Sequence, residues 1–193
     1  MRTRFEANPE TVAEAASLAS LMSYVMNAHA TKARKPFNAV RLWDRRTPYG
    51  IHPVWCAMTI LAETTLPEVV RQNGAKALLL HDILEDTRAG LPEDTSPEVR
   101  ALVEDMTFEG LADEQKNVWD KSPVILLLKL YDKVSNLFDA TWMTDGKPLY
   151  IEYTRKLCGI ARNNFGELNI VRIAEAICKQ PQPPVCAGTG DPT

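Results

Sequence analysis

The sequence predicts a single all-helical domain of about eight helices. Apolar residues recur at helical spacing between breaks made by Pro and Gly, as with Val54, Met58 and Leu61. No pair of alternating apolar and polar segments predicts a β-hairpin. The 193 residues, 45% of them hydrophobic, suit one domain with a sizeable core. We therefore expect a domain over 1–180 and a disordered tail, rich in Pro and Gly, over 181–193.

The predicted helices follow the capping and breaking residues along the chain. Asn8 can cap a helix and Pro9 fits its first turn, so the first helix begins there and runs to about Ala30. The other helices are expected over 53–65, 75–87, 98–106, 124–142, 149–163 and 167–179. A loop over 32–46 follows the first helix, and a polar segment over 107–122 precedes the long apolar one.

Composition and charge exclude several classes of protein. Lys and Arg number 22 against 25 Asp and Glu, so a formal charge of −3 argues against non-specific binding of nucleic acid. No apolar run reaches the roughly 18 residues of a membrane span, and the start of the chain lacks a signal peptide's apolar core. The four cysteines form no CxxC pair, so neither a zinc knuckle nor a disulfide framework is predicted. We expect a cytoplasmic protein with reduced thiols.

The loop over 32–46 is strongly basic, with Asp44 as its only acid. Its six basic residues are Lys32, Arg34, Lys35, Arg41, Arg45 and Arg46. The simplest interpretation is a solvated face, whereas beside a phosphate site one or two of these arginines would bind ligand through bidentate hydrogen bonds. Trp43 is either a core or rim aromatic or a residue that stacks on a base.

A polar cluster interrupts the apolar run at 78–87. His81 and Asp82 follow three leucines, and an ionised carboxylate in such a setting needs a compensating cation or strong hydrogen bonds. Glu85 and Asp86 come one helical turn later, on the same side as His81 and Asp82. A solvated helix end is the alternative, although acids at a helix C-terminus oppose its dipole.

Two further polar positions lie in apolar surroundings. Asp132 and Asn136 are spaced i, i+4 within the long apolar helix, and His52 precedes Pro53 at a helix start. Taken singly, Asp132 and Asn136 suit a buried polar network, and His52 suits a hydrogen-bonded core histidine. Taken together with His81 and Asp82, they suit Mn²⁺, Fe²⁺, Zn²⁺ or Mg²⁺. Such an ion lowers the pKa of a bound water toward ~7 and polarises a phosphoryl oxygen.

These residues resemble the H…HD…D signature of the HD phosphohydrolase superfamily. More narrowly, TPYGIHP (47–53), LLLHDILEDT (78–87) and LKLYDKVSNLFD (128–139) resemble motifs of the RelA/SpoT-type hydrolase domain and its small stand-alone, Mesh-type relatives. The resemblance covers about residues 28–160. It implies an HD-type helical bundle and one divalent ion, assigned as Mn²⁺. The implied metal ligands are His52, His81, Asp82 and Asp132, with Glu85 and Asp86 acting on the attacking water.

The resemblance also implies a substrate. It predicts hydrolysis of the 3′-pyrophosphate of guanosine polyphosphate alarmones, giving GDP or GTP and pyrophosphate. The implied substrate contacts are Asn136, Tyr153 and an arginine, with Arg41 favoured by its distance from His52 and Arg34 by local context. The expected partner is therefore a small nucleotide, with neither nucleic acid nor a membrane, and a homo-oligomer is left open.

The chain also departs from the family pattern. Tyr131 and Ser135 flank Asp132 where the family has a small residue and a His or Tyr, and Phe138 stands where Arg is common. These departures leave the choice of substrate open. One alternative is an HD-type hydrolase of another nucleotide, such as the NADPH 2′-phosphate or a nucleoside monophosphate. A second alternative, of a different class, is a catalytically silent nucleotide sensor, although the Glu85 and Asp86 pair argues against it.

Overall fold

A computed structural model describes residues 9–139 and 147–179, and its helices confirm the predicted all-α class. Within these ranges the α-helices are α1 (Pro9–Lys32), α2 (Ile51–Leu61), α3 (Glu68–Leu80), α4 (Ile83–Asp86), α5 (Pro97–Met106), α6 (Leu111–Asn117), α7 (Pro123–Leu137), α8 (Lys147–Phe165) and α9 (Asn169–Lys179). Short 3₁₀ turns cover Pro36–Asn38 and Val118–Asp120. The described residues form two isolated β-bridges and no strand. The tail predicted over 181–193 lies outside the described residues.

Helix α7 is the centre of the bundle and packs against α2, α3, α5, α8 and α9. Its start is fixed by Ser122, whose hydroxyl accepts a hydrogen bond from the backbone N–H of Ile125, and by Pro123 in the first turn. Nearly all of its residues are buried, including the charged ones near its C-terminal end. This largely buried helix therefore carries polar groups into the interior, where they need partners.

Gly74 allows α3 to pack closely against α2 and α7. The prediction that a helix begins after this glycine is wrong, because α3 begins at Glu68 and Gly74 lies inside it. A Cβ atom at this position would come within 2.8 Å of Ile60 and 3.1 Å of Leu128. The close packing outweighs the weak helix propensity of glycine. As a result, the start of α2 and the end of α3 are held beside α7.

The helix predicted over 75–87 is broken at His81 and Asp82, so the prediction of one continuous helix is wrong. Helix α3 ends at Leu80 and the single turn of α4 begins at Ile83. The Nδ1 atom of His81 donates a hydrogen bond of 2.7 Å to the carbonyl of Leu78. In a continuous α-helix that carbonyl accepts from the N–H of Asp82. The side chain of His81 thus bonds to the carbonyl oxygen of Leu78 at the point where α3 ends.

Helix α6 lies in the segment over 107–122 that the sequence analysis describes only as polar. Its seven residues are LADEQKN, and only Glu114 among them is buried. The side chain of Glu114 is 4% exposed and contacts Lys129 and Lys133 of α7. This short helix therefore places a carboxylate against the central helix of the bundle.

A second buried carboxylate, that of Glu63, caps helix α9. Its oxygens accept hydrogen bonds from the backbone N–H groups of Asn169 and Ile170 at 2.9 and 2.8 Å and from the hydroxyl of Tyr131 at 3.2 Å. A carboxylate at a helix N-terminus satisfies unpaired donors and complements the helix dipole. The structure thus gives Tyr131, one of the departures from the family pattern, a partner in this cap.

Replacing Glu63 by Ala should lower the free energy of unfolding by about 3 kcal/mol, because three donors, two of them buried, lose their acceptor. Urea unfolding followed by circular dichroism measures the change. Tyr131→Phe, which removes only one of the three hydrogen bonds, should cost about 1 kcal/mol. Equal losses in the two variants would contradict the assignment of the cap.

Among the helices of the described ranges, none combines the length and apolar character required to cross a membrane.

Candidate metal centre

The four residues predicted as metal ligands lie together where α2, the turn after α3, and α7 meet. The Nε2 atoms of His52 and His81 are 3.2 Å apart. The carboxylate of Asp82 lies 3.2 Å from Nε2 of His81 and 3.4 Å from that of His52. Atom Oδ1 of Asp132 lies 3.5 Å from Nε2 of His52 and 3.7 Å from that of His81. All four side chains are buried.

Hydrogen bonds on the far side of each ring orient the two imidazoles. Because Nδ1 of His81 donates to a carbonyl, Nε2 of the neutral ring carries the lone pair and faces the cluster. Nδ1 of His52 is 2.8 Å from the hydroxyl of Ser135, which leaves its Nε2 facing the cluster as well. Ser135, a departure from the family pattern, therefore orients a predicted ligand, as outer partners of metal-binding histidines do.

The cluster requires positive charge between its members. Burial disfavours the imidazolium form of His81, but the carboxylates of Asp82 and Asp132 outweigh burial and raise the pKa of His81 to about 9. Burial also opposes ionisation of Asp82, yet the two imidazoles hold the pKa of Asp82 below its usual range. A divalent cation supplies the same charge, and two imidazole nitrogens with two carboxylates form a donor set that such ions accept. The residues present therefore fit a divalent metal ion.

Glu85 and Asp86, the predicted catalytic pair, lie on α4 directly after this cluster and are partly buried. Atom Oε1 of Glu85 accepts a hydrogen bond of 2.9 Å from the backbone N–H of Phe108, which fixes that carboxylate. Burial, reinforced by the charge of Asp82, raises the pKa of Asp86 to about 7, and burial also raises the pKa of Glu85. A carboxylate with a pKa near neutrality suits proton transfer.

A buried charge network lies behind Asp132. Its Oδ2 atom is 2.9 Å from Nζ of Lys133 and 3.6 Å from Nζ of Lys129, and both ammonium groups also contact Glu114. Burial opposes the charged form of Lys133, but Asp132 and Glu114 outweigh it and raise the pKa of Lys133. The two lysines likewise lower the pKa of Glu114 against the effect of burial. Glu114 is not predicted from the sequence, because nothing in the polar segment distinguishes it from its acidic neighbours.

Asn136 links the metal cluster to the basic loop. Its Nδ2 atom donates to Oδ1 of Asp132 at 2.7 Å, and its Oδ1 atom accepts from Arg41 at 3.4 Å. Arg41 also pairs with Asp139, at 3.3 Å, and is 3% exposed. The interpretation of the loop as a solvated face therefore fails at Arg41, which lies inside the protein because α7 supplies partners for its guanidinium group.

Arg34 and Tyr153 also have partners within the protein. The guanidinium of Arg34 donates to the carbonyls of Thr87 and Leu84 at 2.7 and 3.2 Å, so it lies against helix α4. The buried hydroxyl of Tyr153 donates to Glu114 at 2.7 Å. Contact of either residue with substrate stays a prediction.

An aromatic pocket of about 270 Å³ opens beside His52. Its lining consists of Arg41, Trp43, Ile51, His52, Trp55, Ser135 and Phe138. The rings of Trp55 and Phe138 meet edge to face with centroids 5.1 Å apart, and the guanidinium of Arg41 lies 5.2 Å from the ring of Trp43. Trp43 and Phe138 are 42% and 48% exposed, so free ring surface faces the opening. Such walls suit a flat aromatic group.

The fold and the site together define an all-helical protein with a candidate divalent-metal centre. Its fold is shared with a solved structure described as a metazoan ortholog of SpoT that hydrolyses ppGpp and plays a role in starvation responses. The two chains are 22% identical, the match covers 84% of this chain and 93% of the other, and the TM-score is 0.62. No protein-family model matches the chain, and no curated protein sequence matches it significantly.

Proposed function

We propose that this protein is a metal-dependent phosphohydrolase that removes the 3′-pyrophosphate of ppGpp and pppGpp, releasing pyrophosphate and GDP or GTP. The observation that carries the proposal is the buried cluster of His52, His81, Asp82 and Asp132, followed at once by two carboxylates of raised pKa. The solved SpoT ortholog with the same fold is described as hydrolysing ppGpp, which supports this choice of substrate.

In this mechanism the chain's own residues position the water and receive its proton. His52, His81, Asp82 and Asp132 hold the ion, which when bound lowers the pKa of water and polarises a phosphoryl oxygen. Glu85, fixed by Phe108, orients the water. Asp86, with a pKa of about 7, accepts its proton. The water oxygen bonds to the phosphorus attached to the ribose 3′-oxygen. The bond between that phosphorus and the ribose 3′-oxygen breaks, and the ribose oxygen takes up a proton.

The pocket beside His52 supports a nucleotide as the substrate. A phosphate at the metal cluster would bring the attached nucleoside within reach of the ring surfaces of Trp43, Trp55 and Phe138. Aromatic side chains bind bases by stacking. Arg41 and Asn136 lie between the pocket and the cluster, where contacts with the ribose and its phosphate are expected. Tyr153 does not line this pocket, because its hydroxyl contacts Glu114 behind Asp132, and its contact with substrate stays a prediction.

The direct test is product analysis of the purified protein with ppGpp, with and without Mn²⁺. Metal-dependent release of pyrophosphate and GDP, lost with chelator, would support the proposal. A panel that includes NADPH and nucleoside monophosphates covers the first alternative: turnover of a panel member alone would keep the metal chemistry and change the substrate. Tight nucleotide binding without any turnover would contradict catalysis and favour a silent sensor.

Trp43→Ala should raise KM about tenfold and leave kcat within a factor of two or so, because base stacking contributes binding rather than chemistry. Steady-state kinetics with ppGpp measure both constants. Phe37→Ala is the matched control, since Phe37 is a similarly exposed aromatic of the same loop outside the pocket. An unchanged KM in Trp43→Ala would exclude stacking by this residue.

The ligand atoms of His52, His81 and Asp132 lie within 4.8 Å of one another, which fits a divalent ion, and with Asp82 as a fourth ligand we propose Mn²⁺ among the ions that accept such ligands. Titration of metal-free protein with Mn²⁺, Mg²⁺, Fe²⁺ and Zn²⁺ ranks the candidates. The cytoplasmic location and a homo-oligomer stay predictions.

A further inference from the structure

We propose that Glu114 is a positioning residue that keeps Asp132 neutralised and oriented as a one-oxygen metal ligand, acting through Lys129 and Lys133. The inference rests on the proposed metal-dependent function, and it concerns a residue outside the predicted motifs. Glu114 comes from α6, whereas Asp132 and the two lysines belong to α7.

The two oxygens of Asp132 have different surroundings. Oδ2 lies 2.9 Å from the ammonium group of Lys133 and 3.6 Å from that of Lys129. Oδ1 accepts from Asn136 at 2.7 Å and faces the imidazoles of His52 and His81. Because Lys133 occupies Oδ2, only Oδ1 is directed at the site of the ion.

Glu114 holds both lysines in that arrangement. Its Oε2 atom is 2.8 Å from Nζ of Lys129, and its Oε1 atom is 2.8 Å from Nζ of Lys133. The hydroxyl of Tyr153 donates to Oε1 at 2.7 Å and completes the surroundings of the carboxylate. Each ammonium group therefore bridges Glu114 and Asp132. Through the two lysines, Glu114 constrains the position of the Asp132 carboxylate.

Charge balance gives Glu114 a further effect on the metal centre. The two lysines, Glu114 and Asp132 form a neutral group of two positive and two negative charges, all buried. Without the negative charge of Glu114 the group carries a net charge of +1 beside a centre that has to accept a dication. Repulsion between buried charges is weakly screened, so the loss should weaken metal binding.

Fold stability alone does not explain why this position holds a carboxylate. Buried ion pairs are weak contributors to stability, because desolvation offsets most of their attraction, and well-packed apolar residues often serve as well. Outer partners of metal ligands, in contrast, strongly affect the affinity for metal. The position of the network directly behind one predicted ligand favours the second role.

The test is titration calorimetry of metal-free protein with Mn²⁺, in which no substrate takes part. Glu114→Gln keeps the size of the side chain and removes its charge, and it should bind Mn²⁺ roughly 10- to 100-fold more weakly than the unchanged protein. Glu63→Gln is the matched control, because Glu63 is also buried but caps α9. This variant should bind Mn²⁺ as tightly as the unchanged protein. Equal affinities in Glu114→Gln and the unchanged protein would overturn the inference while leaving the metal function intact.

A double variant separates charge from a general loss of structure. Glu114→Gln with Lys129→Met leaves Lys133 and Asp132, whose charges balance and whose 2.9 Å contact keeps Oδ2 occupied, so it should bind Mn²⁺ more tightly than Glu114→Gln alone. If Glu114→Gln does not fold, this double variant should still fold, and its affinity should lie within about tenfold of the unchanged protein. Failure of either expectation for the double variant would overturn the neutralising role.

The same titration distinguishes this inference from the proposed function. Unchanged protein that binds Mn²⁺ but does not hydrolyse ppGpp would remove the substrate assignment, and the comparison with Glu114→Gln would still be decisive. Unchanged protein that binds no divalent ion would overturn the metal centre and the role of Glu114 together.

Discussion

Asp82→Ala is expected to abolish Mn²⁺ binding and to reduce ppGpp hydrolysis to the uncatalysed background. The carboxylate of Asp82 lies within 3.2 to 3.4 Å of both imidazole Nε2 atoms, and no other carboxylate in the described structure is as close to both. Its removal takes away a predicted ligand and part of the negative charge that attracts the ion. Calorimetric titration with Mn²⁺ and product analysis with ppGpp measure the two losses.

The control for Asp82→Ala is Asp94→Ala, which removes an exposed acid outside the cluster and should change neither quantity. Circular dichroism establishes that both variants keep their helices. If Asp82→Ala still bound Mn²⁺ with unchanged affinity, Asp82 would not be a ligand and the proposed site would need another donor.

Glu85→Gln is expected to retain Mn²⁺ binding and to lose about 10²- to 10⁴-fold in kcat. The Gln side chain keeps the oxygen that accepts from the N–H of Phe108, so the local structure should survive. What it loses is the negative charge that orients the water. Paired measurement of Mn²⁺ affinity and kcat separates these effects.

Glu104→Gln is the matched control for Glu85→Gln, because Glu104 is an exposed acid of α5. It should have the kcat of the unchanged protein. Intact turnover in Glu85→Gln would remove Glu85 from the mechanism and leave Asp86 as the carboxylate that acts on water.

The helical class and the polar residues of the site could be recognised from the sequence because both have local signals, whereas the resemblance to the HD phosphohydrolases implied their role as metal ligands. Apolar spacing and breaking residues mark the helices, and His52, His81, Asp82 and Asp132 are conspicuous as polar groups in apolar stretches. The structure brings these four together, although they are far apart in the chain. Their assignment as metal ligands stays a prediction until an ion is titrated.

The features that the sequence analysis missed depend on contacts between distant segments. The break at His81 depends on a bond between a side chain and a backbone carbonyl, which periodicity does not reveal. The place of Gly74 inside α3 depends on how closely α2 and α7 approach it. Arg41 is buried because Asp139 and Asn136 lie opposite it, and Glu114 is buried because two lysines lie opposite it. Only tertiary packing distinguishes these residues from exposed neighbours of the same type.

The separation of the predicted ligands along the chain has a consequence for how an ion would associate with this protein. His52 and Asp132 are joined by a long stretch of chain, and the packing of α2, α3 and α7 closes that stretch. The hydrophobic core therefore compensates the conformational entropy of assembling the ligands before any ion arrives. In small zinc domains, by contrast, metal binding drives folding. An ion that bound here would meet a preorganised site, and we expect it to dissociate and exchange without unfolding of the bundle.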